Sequence, residues 1–83
     1  MIINLTNNSG YMSKRIKLGN IFYNLSFYFN YRDNCWYFDN SIDIIGVRIV
    51  QGRKLMTNDY GYLIANDTVD KLTFNKVEWV AYD

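Results

Sequence analysis

The sequence predicts a small all-β fold, an antiparallel β-barrel or β-sandwich of roughly six or seven short strands. Three observations predict it. Residues 21 to 31 alternate between two faces, the period of a strand with one face buried. The breaks between such segments fall on Gly and Asn, and the chain contains no proline, so these residues must carry the turns. No segment holds an apolar repeat of helical period over a helix's length.

Met12 to Leu18 alternates less cleanly and breaks onto Gly19-Asn20, a pair that reads as a tight hairpin turn because glycine supplies positive φ. On the following strand Ile21, Tyr23, Leu25, Phe27, Phe29 and Tyr31 share the face predicted to be core, opposite Asn24, Ser26, Tyr28 and Asn30. Arg32-Asp33-Asn34 then turns the chain into Cys35–Asp39, where Trp36 and Phe38 oppose Cys35, Tyr37 and Asp39. The two segments are expected to pair antiparallel. After a turn at Asn40-Ser41, Ile42 to Val50 is predicted as a β-run interrupted at Gly46 by a bulge or a close backbone approach, and Gln51-Gly52-Arg53 ends it. Residues 53 to 68 read as a short irregular or helical turn leading into a strand at Tyr60 to Ile64. Val69 to Phe74 and Lys76 to Tyr82 are expected as closing strands, with Val77, Trp79 and Ala81 opposed to Glu78, Val80 and Tyr82. The edges of the fold are expected to be closed or covered.

The 83 residues, 1–83, are expected to make one β-domain, near the size at which only about 60% of the unfolded surface can be buried. A dense core is therefore required, and 49% hydrophobic with 18% aromatic residues can supply it. A net charge of +1 gives too little electrostatic attraction for extended phosphate binding, so no nucleic-acid partner is expected of the free protein. Cys35, the single cysteine, cannot form an intramolecular disulfide, and Met1-Ile2-Ile3 running into Asn7-Asn8-Ser9-Gly10 does not read as a secretory signal. Synthesis in a reducing cytoplasm and no membrane association are the expectations. Asn4, Asn7, Asn24 and Asn66 head N-x-Ser/Thr triplets, which chance explains in so Asn-rich a chain.

With no histidine, the commonest general base and metal ligand are both missing. The acids are dispersed and the glycines occur singly, so no metal site, phosphate-cradling loop, catalytic residue or cofactor is expected. A carboxylate pair such as Asp39 and Asp43, or Glu78, has the chemistry for glycoside hydrolysis but no deep cleft to work in. Outward-facing Tyr28, Tyr37 and Tyr82 are the candidate interface residues, since tyrosine is enriched at protein interfaces. The aromatics interleaved with basic residues over Tyr28 to Tyr37 read either as core or as a stacking platform. The platform would make the chain an OB-like binding module for single-stranded nucleic acid or carbohydrate.

Read together, Asn30-Tyr-Arg-Asp-Asn-Cys-Trp-Tyr-Phe-Asp39 and Ile45-Gly-Val-Arg-Ile-Val-Gln-Gly52 resemble the signature of the phage baseplate plug family, small tail-tip domains of contractile-tailed phages and prophages. The first stretch is similar to the family's Trp-to-Asp strand. Gly46 to Gly52 with Leu55-Met56 is similar to its Gly-bounded run, and Ile3 to Asn8 with Ile16 to Leu25 is similar to its opening strand pair. The likeness covers residues 3 to 64, about three-quarters of the chain, and departs from the family at the short, proline-free stretch Asn66 to Lys76. It implies a non-catalytic structural protein of the virion, a plug that packs against hub or tube proteins near the central channel, with a homo-oligomer as one possible arrangement. Within the motif, Trp36 is expected as a core anchor. Asp39 is expected either to bond the backbone of the Asn40-Ser41 turn or to pair with Arg48. Gly46 and Gly52 are expected to meet backbone requirements.

Overall fold

In the computed structural model, residues 1–5, 10–66 and 74–82 are described. The described chain is all-β: β1 (Ile2–Asn4), β2 (Tyr11–Leu18), β3 (Ile21–Asn30), β4 (Cys35–Asp39), β5 (Val47–Arg48), β6 (Lys54–Asn58), β7 (Gly61–Ile64) and β8 (Lys76–Ala81). These form two four-stranded antiparallel sheets, β1-β8-β7-β6 and β2-β3-β4-β5. The result is a sandwich and not a closed barrel. The chain crosses between sheets after β5, where the Gly52 amide bonds the Ala65 carbonyl beyond the end of β7.

The central hairpin follows from alternation. Phe27 stands opposite Phe38 and Phe29 opposite Trp36, so the inward faces of β3 and β4 meet in register. Leu25, Phe27, Trp36 and Phe38 are fully buried, and Phe74 closes over them from 6.3 Å to Phe27 and 5.4 Å to Trp36 between ring centroids. Each such side chain contributes roughly 1.5–3 kcal/mol of burial. Leu63, Val77 and Trp79 supply the facing layer from the second sheet. The predicted core face of β3 holds only in the middle: Ile21 is exposed at the hairpin end, and Tyr31 leaves the strand for the four-residue turn 31–34, where Asn34 takes φ 55°.

Two expectations are corrected. The run from Ile42 to Val50 contributes only the two-residue strand β5, because residues 40 to 46 are diverted into a loop by side-chain hydrogen bonds described below. Residues 54 to 58 are a strand rather than an irregular or helical turn, with β6 paired to β7 through the turn at Asp59-Tyr60. The opening strand β1 pairs with β8, so the first and last strands lie together in one sheet. The strand expected over Val69 to Phe74 lies, apart from buried Phe74, outside the described residues.

One end of the sandwich is pinned by the predicted Gly19-Asn20 turn. Asn58 donates from its Nδ2 to the Leu18 carbonyl at 3.3 Å and to the Tyr23 hydroxyl at 3.0 Å, tying β6 to the β2–β3 hairpin. Gly19 has φ +70°, and a Cβ there would lie 2.3 Å from the Tyr60 Cβ. Both the backbone conformation and the packing exclude a larger residue. Gly19→Ala is therefore expected to cost more than about 1 kcal/mol in urea unfolding, with an unchanged m-value; a loss within error of zero would contradict the tight approach.

Candidate functional site

The loop between β4 and β5 is built around Asn40, the buried polar residue of the described core, at 1% exposure. Its Oδ1 accepts the backbone N–H groups of Ile42, Asp43 and Ile44 at 2.9–3.0 Å. Its Nδ2 donates to Asp43 Oδ1 at 2.8 Å and to Met56 Sδ at 3.8 Å on the opposite sheet, and its own amide bonds the Ile44 carbonyl. Asn suits this position because a short amide offers an acceptor to the backbone and a donor elsewhere at once. Ser41 completes the anchorage at φ 65°, a conformation costly for a side-chain-bearing residue. Its amide bonds Asp39 Oδ1 at 2.6 Å and its hydroxyl donates to the Asn24 carbonyl at 2.9 Å.

What this anchored loop holds outward is apolar. Ile42 is 59% exposed, Ile45 72%, and on the following edge Val47 is 44% and Val50 39% exposed. Scattered exposed aliphatics need no explanation. A run of them on a loop fixed by this many internal hydrogen bonds differs, since a fixed backbone presents side chains to a partner at little further entropic cost. The loop and β5 are accordingly the candidate site, and its chemistry is apolar contact.

The remaining candidates separate into two groups. Tyr11, Tyr28, Tyr37 and Arg48 form one rung across β2, β3, β4 and β5 on the outer face of their sheet. The Tyr28 and Tyr37 rings stack at 5.8 Å and 15°. Gly46, at φ +65°, lies beside this pair, with the Tyr28 hydroxyl 3.4 Å from where its Cβ would be. Tyr37 donates to Asp33 Oδ2 at 2.5 Å, and that hydrogen bond, aided by partial burial, raises the phenol above its ordinary value of 10.0. Tyr82 stands apart: it continues the outer face of β8 beside Tyr62, at 6.1 Å, in the other sheet. Trp36 is fully buried, Asp39 takes the turn-bonding role through Ser41 and aligns with Ser26, and Arg48 faces Tyr37. Gly52 has φ +82° in the crossing between sheets.

The carboxylates considered for hydrolysis do not converge. Asp39 and Asp43 are engaged within the loop, while Glu78 accepts from Asn66 Nδ2 on the other sheet. A hollow of about 200 Å³ lined by Ile2, Asn66, Lys76, Val77 and Glu78 is smaller than typical ligand pockets of roughly 300–1,000 Å³. Among the described residues no group of three His, Cys, Asp or Glu side chains could hold a metal ion. No helix there is long and apolar enough to cross a membrane. Asn40 and the loop isoleucines are the site residues that sequence reasoning missed; the Asp-Asn-Ser sequence at 39–41, with its taste for side-chain-to-backbone bonding, is the signal that marks them. Compared with known protein families, curated proteins and solved structures, the chain matches none.

Two outcomes test this geometry. Asn40→Ala strands the loop amides and is expected to destabilise by about 2 kcal/mol or more, whereas Ile45→Ser is expected to stay within about 0.5 kcal/mol in chemical denaturation. Equal costs would contradict the assignment of Asn40 as the anchor. The raised Tyr37 pKa means that folding favours the protonated phenol. Its contribution is complete below pH 10.0, the unfolded value, and is lost as the pH rises through the higher folded value. In an NMR titration of the folded protein the Tyr37 phenol is expected to ionise above its ordinary value, and Asp33→Asn is expected to lower it.

Proposed function

We propose that the chain is a non-catalytic structural component of a phage tail baseplate, a plug-like protein that packs against hub or tube proteins near the central channel. The observation that carries this reading is the apolar, internally anchored loop Asn40 to Gly46 with β5, which joins the two stretches that resemble the baseplate plug family and overlaps the second from Ile45 onward. A side chain such as Ile45 gains little by standing in water and much by entering a partner's pocket. On the outer face of the same sheet, exposed Tyr11 and half-buried Tyr28 and Tyr37 line up beside Arg48, residues favoured at interfaces. On this reading the protein is made in the host cytoplasm and ends in the virion among other tail proteins, with further copies of itself as one arrangement.

A second reading has one observation in its favour. Phe22, 56% exposed on β3, lies under Arg15 at 5.2 Å and Lys17 at 5.8 Å, the pairing of aromatic face and cations that single-stranded nucleic acid uses. The near-zero net charge opposes it.

Mass spectrometry of purified tail particles, from a strain whose neighbouring genes encode tube, hub, spike or wedge proteins, is expected to find the chain. Its absence from the particles would overturn the proposal. Polarisation titration with single-stranded oligonucleotides at about 0.15 M salt is expected to give no sub-micromolar binding, and tight binding there would establish the second reading instead.

A further inference from the structure

The two edges of the β2-β3-β4-β5 sheet are unlike. β2 is eight residues long and carries Lys14, Arg15 and Lys17, charges of the kind that discourage a further strand from adding. β5 carries Val47 and Arg48 and is flanked by Ile45 and Val50. The Ile49 amide bonds the Trp36 carbonyl, and Phe38 stands opposite Val47. In an antiparallel ladder the backbone groups of the residue between therefore point the other way, so the N–H and C=O of Arg48 face away from β4. The edge is open for pairing at Arg48, while the Val50 carbonyl already accepts the Arg53 amide and Gly46, at φ 65°, leaves the extended strand.

Side chains on this edge also have a pattern. Val47 shares the rung of Met12, Phe27 and Phe38, the inward side of the sheet, yet it is half exposed because no strand follows. Arg48 lies on the outer side, opposite Tyr37. The carboxylates nearest in sequence are committed to the loop, Asp39 to the Ser41 amide and Asp43 to Asn40 Nδ2. Arg48 and Arg53 make no ion pair among the described residues. A second copy joined edge to edge by a two-fold centred on β5 would set Arg48 against its own equivalent, which like charge disfavours.

We propose that the β5 edge is a strand-addition site for an extended segment of a different protein. That segment alternates apolar side chains, which cover Val47 and Ile45, with acidic ones, which meet Arg48. This deepens the assembly reading and rests on it for the identity of the partner protein, while the edge chemistry stands on the geometry above. Main-chain pairing would supply affinity and the alternate side chains specificity.

The test uses the full chain and two synthetic peptides, one alternating valine with glutamate and one alternating valine with lysine. Binding is read by amide shift changes in NMR. The glutamate peptide is expected to bind and to shift the amides of Gly46, Arg48 and Val50, with the lysine peptide at least about tenfold weaker. Arg48→Glu is expected to invert that preference. Arg48→Pro removes the outward N–H while leaving the β4 ladder intact, and is expected to abolish binding of both. Equal affinity for the two peptides, shifts centred on Tyr11, Tyr28 and Tyr37 instead, or a homodimer formed through β5 would each overturn the proposal. A protein absent from tail particles that still selects the glutamate peptide would refute the baseplate reading alone. A protein present in particles that selects neither would refute the strand-addition site alone.

Discussion

Everything proposed for this protein's surface depends on the bonds made by Asn40. A buried amide without partners would be a liability of a few kcal/mol. Here every bond the side chain makes fixes some other part of the molecule: three to the backbone of the loop that follows, one to Asp43, one to Met56 across the sandwich. The loop is thereby ordered by the core rather than by a sheet ladder. That releases its isoleucines from having to be buried, since the backbone holds its course without them.

The same constraint explains the shape of the sheet. Had Ile42 to Val50 continued as a strand, the β2-β3-β4-β5 sheet would have a long second edge, flat and aliphatic, of the kind that aggregates. Turning residues 40 to 46 aside shortens that edge to Val47–Arg48 and places a cation on it. The sheet keeps an opening, but a narrow one with a definite charge. The opposite sheet carries Tyr62 and Tyr82 on its outer face, with Lys54 over the Tyr62 ring at 4.4 Å. The aromatic surface is thus divided between two faces and does not form one large exposed patch.

The β3–β4 hairpin was legible in the sequence because its information is local: alternation fixes the faces, and a polar turn fixes the reversal. The same holds for the Gly19-Asn20 turn and for Val77 and Trp79 on β8. The loop was not legible for the opposite reason. Ile42, Ile44, Ile45, Val47, Ile49 and Val50 have the composition of a strand, and what overrides it is the set of bonds from Asn40 Oδ1 to the next three loop amides, marked in the sequence only by the short polar run at 39–41 that also reads as an ordinary turn. β6 was missed because Leu55 and Met56 are adjacent and both buried at an irregularity in the pairing with β7, which breaks the alternation expected of a strand. The outward tyrosines were legible as outward, but their separation onto two sheets follows from which strand pairs with which, and β8 lies between β1 and β7 for reasons of long-range packing.

The central claim is that the exposed isoleucines are carried on a backbone held by Asn40. Amide hydrogen exchange of the folded protein reads this directly. The amides of Ile42, Asp43 and Ile44 donate to Asn40 Oδ1 and to no strand partner, yet the account predicts protection approaching that of Phe27 and Phe38 in the central hairpin, and loss of that protection in Asn40→Ala while the hairpin amides keep theirs. Exchange of these three amides at the rate of an open loop in the unaltered protein would contradict it.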